Sequence, residues 1–159
     1  MFLDFDTCSI SFCGMDGREI YHFWYYEDRY YFNCQTKSGW IIKSIVFNQL
    51  EKEEFFNLAL FDYLEVEKEW SDTNRSHPIK LSMLFFTVCA IVLDFLKKNP
   101  DAIVSFEGNT QSRSRLYNIF ISQHLNFFNN QFQVLGDTEF EIEKFQTNKK
   151  YSTIYIIRK

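Results

Sequence analysis

The run Gly108–Tyr117, G-N-T-Q-S-R-S-R-L-Y, carries the residue types and spacing in this chain best suited to gripping an anion. Gly108 and the small polar residues Asn109, Thr110 and Ser112 lead into two arginines, Arg113 and Arg115, and then Tyr117. A strand that ends near Gly108 and a helix that starts near Gln111 would place these residues at a helix N-terminus. Such termini present unpaired N–H groups and partial positive charge. A glycine ahead of them lets an anion approach the backbone closely. Arginines in the first turn oppose the helix dipole, where acidic side chains are favoured, so a local rule gives way here.

On a helix, Arg113 and Tyr117 stand at i, i+4 and share a face, as do Gln111 and Arg115. Arg113 and Arg115 diverge by about 200°, so both reach one ligand only if Arg113 lies at the very N-terminus. In the competing structural reading, one arginine pairs with a carboxylate such as Asp62 or Glu107. The run lacks G-x-x-x-x-G-K-[ST], which leaves Mg-nucleotide hydrolysis unsupported.

The three histidines, His22, His77 and His124, suggest a second chemistry. Metal-independent ribonucleases combine His, Arg and Tyr as acid, base and phosphate stabiliser. His77, Arg113, Arg115 and Tyr117 would form such a set if the fold joined them. Cys8, Cys13, Cys34 and Cys89 form no C-x-x-C pair and stand at no zinc-finger spacing from a histidine. They read as free thiols in a reducing cytoplasm, with Cys89 a small core hydrophobe. Glu65, Glu67 and Glu69 alternate along the expected continuation of a strand over Phe55–Phe61. That row reads as a solvated face, because hard cations also need ligands converging from elsewhere. No metal and no cofactor is expected.

The elements that must position these residues follow from periodicity. Ile10–Cys13 and Arg18–Tyr26 flank Gly14–Gly17, a hairpin loop. Tyr30–Gln35 and Trp40–Phe47 flank Thr36–Gly39, a second hairpin, and Lys43 falls among otherwise buried positions of its strand. Phe55–Phe61 is a further strand. A helix is expected over 78–98, with Ser76 as N-cap, Pro78 in the first turn, and Lys97 and Lys98 at the C-terminus. Its segment L-S-M-L-F-F-T-V-C-A-I-V-L carries no charge. That is short of the about 20 apolar residues a membrane span needs, so the helix is buried in the protein. Ala102–Phe106 is a strand, 111–129 a second helix with Leu116, Ile119, Phe120, Leu125, Phe127 and Phe128 on its core face. Phe132–Leu135, Glu139–Phe145 and Tyr151–Ile157 complete the sheet. The expected fold is α+β: an antiparallel-rich curved sheet of six to eight strands wrapped around one buried helix, in a single domain over 1–159.

Length and charge bound the function. The chain has 159 residues, enough for one domain with a sizeable core. Its 19 Phe and 9 Tyr mostly supply core area, and a compositional bias toward A/T-rich codons accounts for their number better than base stacking does. Residues 1–76 hold 14 acidic and 7 basic side chains, and residues 77–159 hold 7 and 10. A chain of net charge −4 makes a poor non-specific duplex binder, while a local anion site in the second half fits this division. Asp4 and Asp6 interrupt the N-terminus where the apolar region of a signal peptide would begin.

Tyr30–Phe47 reads Y-x-F, a turn containing Gly, then I-x-K-x-I-x-F, and Phe56–Ala59 reads F-N-L-A. Together with G-[NS]-T-x-x-R-x-R-L-Y at Gly108–Tyr117 and the closing Tyr151–Lys159, these segments resemble an uncharacterised family of small bacterial α+β proteins. The resemblance covers roughly residues 30–159 and implies no activity. Where such proteins are rich in Asn, Gly and Asp before the central helix, this chain has Asn74-Arg75-Ser76-His77-Pro78. The leading expectation is a binding module for a phosphate-bearing ligand, a nucleotide or an RNA or DNA segment, through Gly108–Tyr117. A small ribonuclease-like enzyme of toxin or defence type, and a protein-interaction domain with structural arginines, are the alternatives. A protein partner or a homo-oligomer suits each of them.

Overall fold

The computed structural model describes residues 17–72, 76–107 and 111–159. Among these the fold is α+β, with nine strands and three helices. The expected strand Ile10–Cys13 and most of its hairpin loop lie outside the described residues. The strands are β1 (Phe23–Tyr26), β2 (Arg29–Thr36), β3 (Gly39–Gln49), β4 (Phe55–Leu64), β5 (Glu69–Ser71), β6 (Ile103–Phe106), β7 (Phe132–Asp137), β8 (Ile142–Lys144) and β9 (Thr153–Arg158). Eight follow the order β1-β2-β3-β4-β6-β9-β7-β8, and β5 pairs with β4 off that path. β4 and β6 run parallel, whereas β1–β2, β2–β3, β4–β5, β6–β9, β9–β7 and β7–β8 run antiparallel. The chain clusters into two compact units, Met1–Val46 with Ala59–Val92, and Phe47–Leu58 with Leu93–Lys159. β3, β4 and the helix α1 (Leu81–Lys98) contribute residues to both.

In the first unit the turn between β1 and β2 is Glu27–Asp28, with positive φ at both residues (47° and 62°). Two consecutive positive φ values are the type I′ geometry, whose twist matches that of the flanking strands. Along β2, Tyr30, Phe32, Cys34 and Thr36 are buried while Asn33 and Gln35 are exposed, the period of two that a sheet with one covered face dictates. The β2–β3 hairpin forms at Thr36–Gly39 as the sequence implies. Gly39 takes φ 111°, and the Thr36 hydroxyl donates to Gly39 O at 2.7 Å.

Thr87 to Val92 are buried without interruption along α1, so this part of the helix has no solvent face. The N-cap differs from expectation. Ser76 lies five residues ahead of the helix, and its hydroxyl accepts from Lys43 Nζ at 2.8 Å. The residues after it extend the β2 edge instead: Lys37 N–H donates to His77 O and Ile79 N–H to Gln35 O, each at 3.0 Å. Glu65 and Glu67 are also displaced from their expected strand. They occupy the turn between β4 and β5, where Lys68 takes φ 53°.

In the second unit, Phe47 stacks on Phe95 with centroids 3.9 Å apart, and Phe56 meets Phe95 edge-on at 5.1 Å. The expected second helix is two: α2 (Gln111–Gln123) and α3 (Leu125–Gln131). They break at His124, whose φ of −121° and ψ of 29° leave the helical region. Phe120, Phe127 and Phe128 are buried as expected and Leu125 is half-buried, but Leu116 and Ile119 are exposed, and Ile121, outside the expected core face, is buried. The core stripe instead follows Tyr117, Phe120, Ile121 and His124, an i, i+3, i+4, i+7 set. No helix among the described residues is long and apolar enough to cross a membrane.

Candidate functional site

β6 ends at Phe106 and α2 begins at Gln111, so the expected anion-binding run does join a strand to a helix. Gly108, Asn109 and Thr110 lie outside the described residues. Gln111, Ser112 and Arg115 are exposed, and Arg113 and Tyr117 are half-buried. The first turn of α2 contains no acidic side chain. Tyr117 packs edge-on against Phe106, with centroids 5.9 Å apart, which anchors its ring to the end of β6. Burial raises the Tyr117 phenol above its ordinary pKa, and the nearby Arg113 charge partly opposes that shift. At neutral pH the phenol is therefore a hydrogen-bond donor beside a guanidinium, a pairing that suits an oxyanion. Arg115 projects from a different side of the helix, as the 3.6-residue period requires. The run brings Arg113 and Tyr117 together and leaves Arg115 apart from them.

Asp62, a carboxylate the sequence offered to an arginine, has Lys43 as a partner. Its carboxylate is ion-paired with Lys43 Nζ, and both side chains are almost wholly buried. Lys43 also donates to Ser76 Oγ. Around this pair lie Cys34, whose thiol is pushed up by burial with Lys43 opposing, and Tyr21, whose phenol is also raised by burial. The Tyr21 hydroxyl accepts from Gln35 N–H at 3.3 Å. A raised thiol in a buried cluster is a poor nucleophile, so this group reads as a satisfied polar core. Cys89 is buried too, and its thiol is likewise pushed up. Cys8 and Cys13 lie outside the described residues.

His22 is exposed just before β1, His77 is exposed in the segment ahead of α1, and His124 is half-buried at the α2–α3 break. No group of three or more His, Cys, Asp and Glu side chains among the described residues is arranged to hold a metal ion.

One feature escapes the sequence reading. Four half-buried rings of the first unit form a continuous row: Trp24 stacks on Tyr31 at 5.9 Å, Tyr31 meets Trp70 at 5.9 Å, and Trp70 meets Tyr63 at 5.1 Å. The legible signal is their symmetry about two turns. Trp24 and Tyr31 are direct partners across the β1–β2 hairpin, and Tyr63 and Trp70 across the β4–β5 hairpin.

No curated protein and no solved structure matches the chain. A family model described as "Family of unknown function (DUF6934)" matches residues 18–159. That match takes in β1 through β9 together with the Arg113–Tyr117 pair, and the chain belongs to this family of unknown function.

Proposed function

We propose that the chain is a binding module for a phosphate-bearing ligand, a nucleotide or a nucleic-acid segment, with Arg113 and Tyr117 as its principal contacts. The observation that carries this reading is the Arg113–Tyr117 pair. A guanidinium and a protonated phenol share one face of α2, whose first turn is free of carboxylates and whose Tyr117 ring packs on Phe106 of β6. Arg113 supplies the charge and the planar fork that takes two phosphate oxygens at once. Tyr117 supplies a directional O–H donor whose position is fixed by the ring beneath it. The α2 N-terminus adds backbone donors and a favourable dipole. Arg115, on the other side of the helix, contributes longer-range attraction and would contact a ligand large enough to wrap the terminus. The parallel pairing of β4 and β6 is consistent with this reading, since ligands of parallel α/β units sit beyond the carboxyl ends of strands.

A thermal-shift panel of mononucleotides, short RNA and sulfate tests the proposal on the parent chain and on Arg113→Ala, Arg113→Lys and Arg115→Ala. A charge-assisted hydrogen bond contributes about 1.5–3 kcal/mol, so Arg113→Ala should weaken binding roughly ten- to a hundredfold. Lysine should rescue in part, and Arg115→Ala should cost less. If no ligand raises the melting temperature while both alanine variants are destabilised, the arginines are structural and the proposal fails.

A further inference from the structure

We propose that the Trp24–Tyr31–Trp70–Tyr63 row of the first unit is a docking surface for a basic polypeptide segment, one presenting arginine or lysine side chains. The row lies on the sheet face opposite the one that carries Tyr30 and Phe32. Tyr31 follows the buried Tyr30 and precedes the buried Phe32, and it pairs across the ladders with Trp24 on one side and Ser44 on the other. Residues directly opposite in antiparallel strands share a face, so Trp24, Tyr31 and Ser44 form one line across three strands. Tyr63 and Trp70 extend it onto β4 and β5, and the Tyr31–Trp70 contact joins the two halves. Four rings, each half-buried and touching the next, present a π-surface rather than isolated apolar atoms.

Charge complementarity identifies the occupant. Glu27 and Asp28 form the turn beside Trp24 and Tyr31, and Glu65, Glu67 and Glu69 stand at the turn beside Tyr63 and Trp70, all of them exposed. Two cations stand among these carboxylates, Arg29 and Lys68. Five carboxylates against two cations repel a phosphate backbone and attract a positively charged segment. An aromatic face adds a cation–π attraction that strengthens as the site is desolvated. A second exposed acidic surface of another copy of this chain would be repelled in the same way.

The test uses the full chain with two probes, an octa-arginine peptide and an octa-glutamate peptide, read by tryptophan fluorescence and by calorimetry. Octa-arginine should bind and shift the emission, and octa-glutamate should not. Trp70→Leu and Tyr63→Leu should each weaken octa-arginine binding about two- to thirtyfold, the span from exposed to desolvated cation–π contacts. The exposed triple variant Glu65→Gln, Glu67→Gln, Glu69→Gln perturbs no buried group and keeps the test decisive if a ring variant fails to fold. It should weaken binding and flatten its salt dependence. Three results would each overturn the proposal: no octa-arginine binding at low salt, binding unchanged in the triple variant, or self-association through the row detected by light scattering and abolished by Trp70→Leu.

Discussion

Lys43 on β3 and Asp62 on β4 form an ion pair whose side chains are only 4% and 6% exposed. Two charges removed from water are compensated by each other and by the Ser76 hydroxyl. Removing one partner leaves the other charged and buried, which costs about 3–5 kcal/mol. Asp62→Ala should therefore lower the urea midpoint sharply. The double variant Lys43→Met, Asp62→Leu should regain most of the loss, because an apolar pair of similar volume carries no desolvation penalty. A double variant as unstable as the single one would show that the pair does more than satisfy itself.

The uninterrupted burial of Thr87–Val92 sets a second expectation. Ile91 is fully buried and Phe86 nearly so, with the Arg18 guanidinium 4.6 Å over the Phe86 ring. Ile91→Ala and Phe86→Ala should each destabilise by about 2–5 kcal/mol, the usual cost of a large-to-small change in a core. Phe86→Leu should cost less than Phe86→Ala in the same denaturation series. Unchanged melting temperatures for both alanine variants would contradict the burial of this helix.

The buried helix was legible because thirteen residues without a charge admit few placements, and Lys43 stood out as a charge in an apolar register. The β2–β3 hairpin was legible because Gly39 supplies the positive φ that its turn needs. The β1–β2 turn was not, since Glu27 and Asp28 adopt positive φ without the Gly or Asn that signals it. The turn at Glu65 and Glu67 was illegible for the same reason, since Lys68 is the residue with positive φ there, while Glu69 does enter β5. Ser76 satisfies every local criterion for an N-cap, and its hydroxyl is taken by Lys43, thirty-three residues away in sequence. Periodicity placed Arg113 and Tyr117 together and Arg115 apart. Each half of the aromatic row is a local pair across one hairpin, but the Tyr31–Trp70 contact that joins them depends on tertiary placement and leaves no local trace.

Gly136 on β7 is held against Tyr151. A Cβ at this position would lie 2.3–2.5 Å from three ring atoms of that tyrosine. The ring cannot step aside freely, because its hydroxyl donates to Glu143 Oε1 at 2.9 Å and accepts from Gln146 N–H at 3.0 Å. Gly136→Ala should destabilise by about 1–3 kcal/mol, as overpacking does. Combining it with Tyr151→Leu should be less damaging than the sum of the two single changes. Strict additivity in chemical denaturation would refute the steric origin of the effect.

The same tyrosine belongs to a small pH-sensitive group. Glu143 Oε1 accepts from Lys149 Nζ at 2.7 Å and from the Tyr151 hydroxyl, and these two hydrogen bonds, Lys149 first, hold its carboxyl below the usual glutamate range. A carboxylate whose folded pKa is depressed stabilises the fold fully above its unfolded pKa, about 4.3, and loses that contribution as pH falls through the folded value. The effect is confined to the acid limb and is small, because its partner Lys149 is exposed and salt screens the pair. Glu143→Gln should leave the melting temperature nearly unchanged at pH 3 and lower it at pH 7, so that the curve between them flattens. Lys149→Met should reproduce part of this flattening, and Tyr151→Phe a further part. Melting curves at pH 3, 4, 5 and 7 in low and high salt separate these contributions, and an acid limb identical in the parent and Glu143→Gln would remove Glu143 from the account.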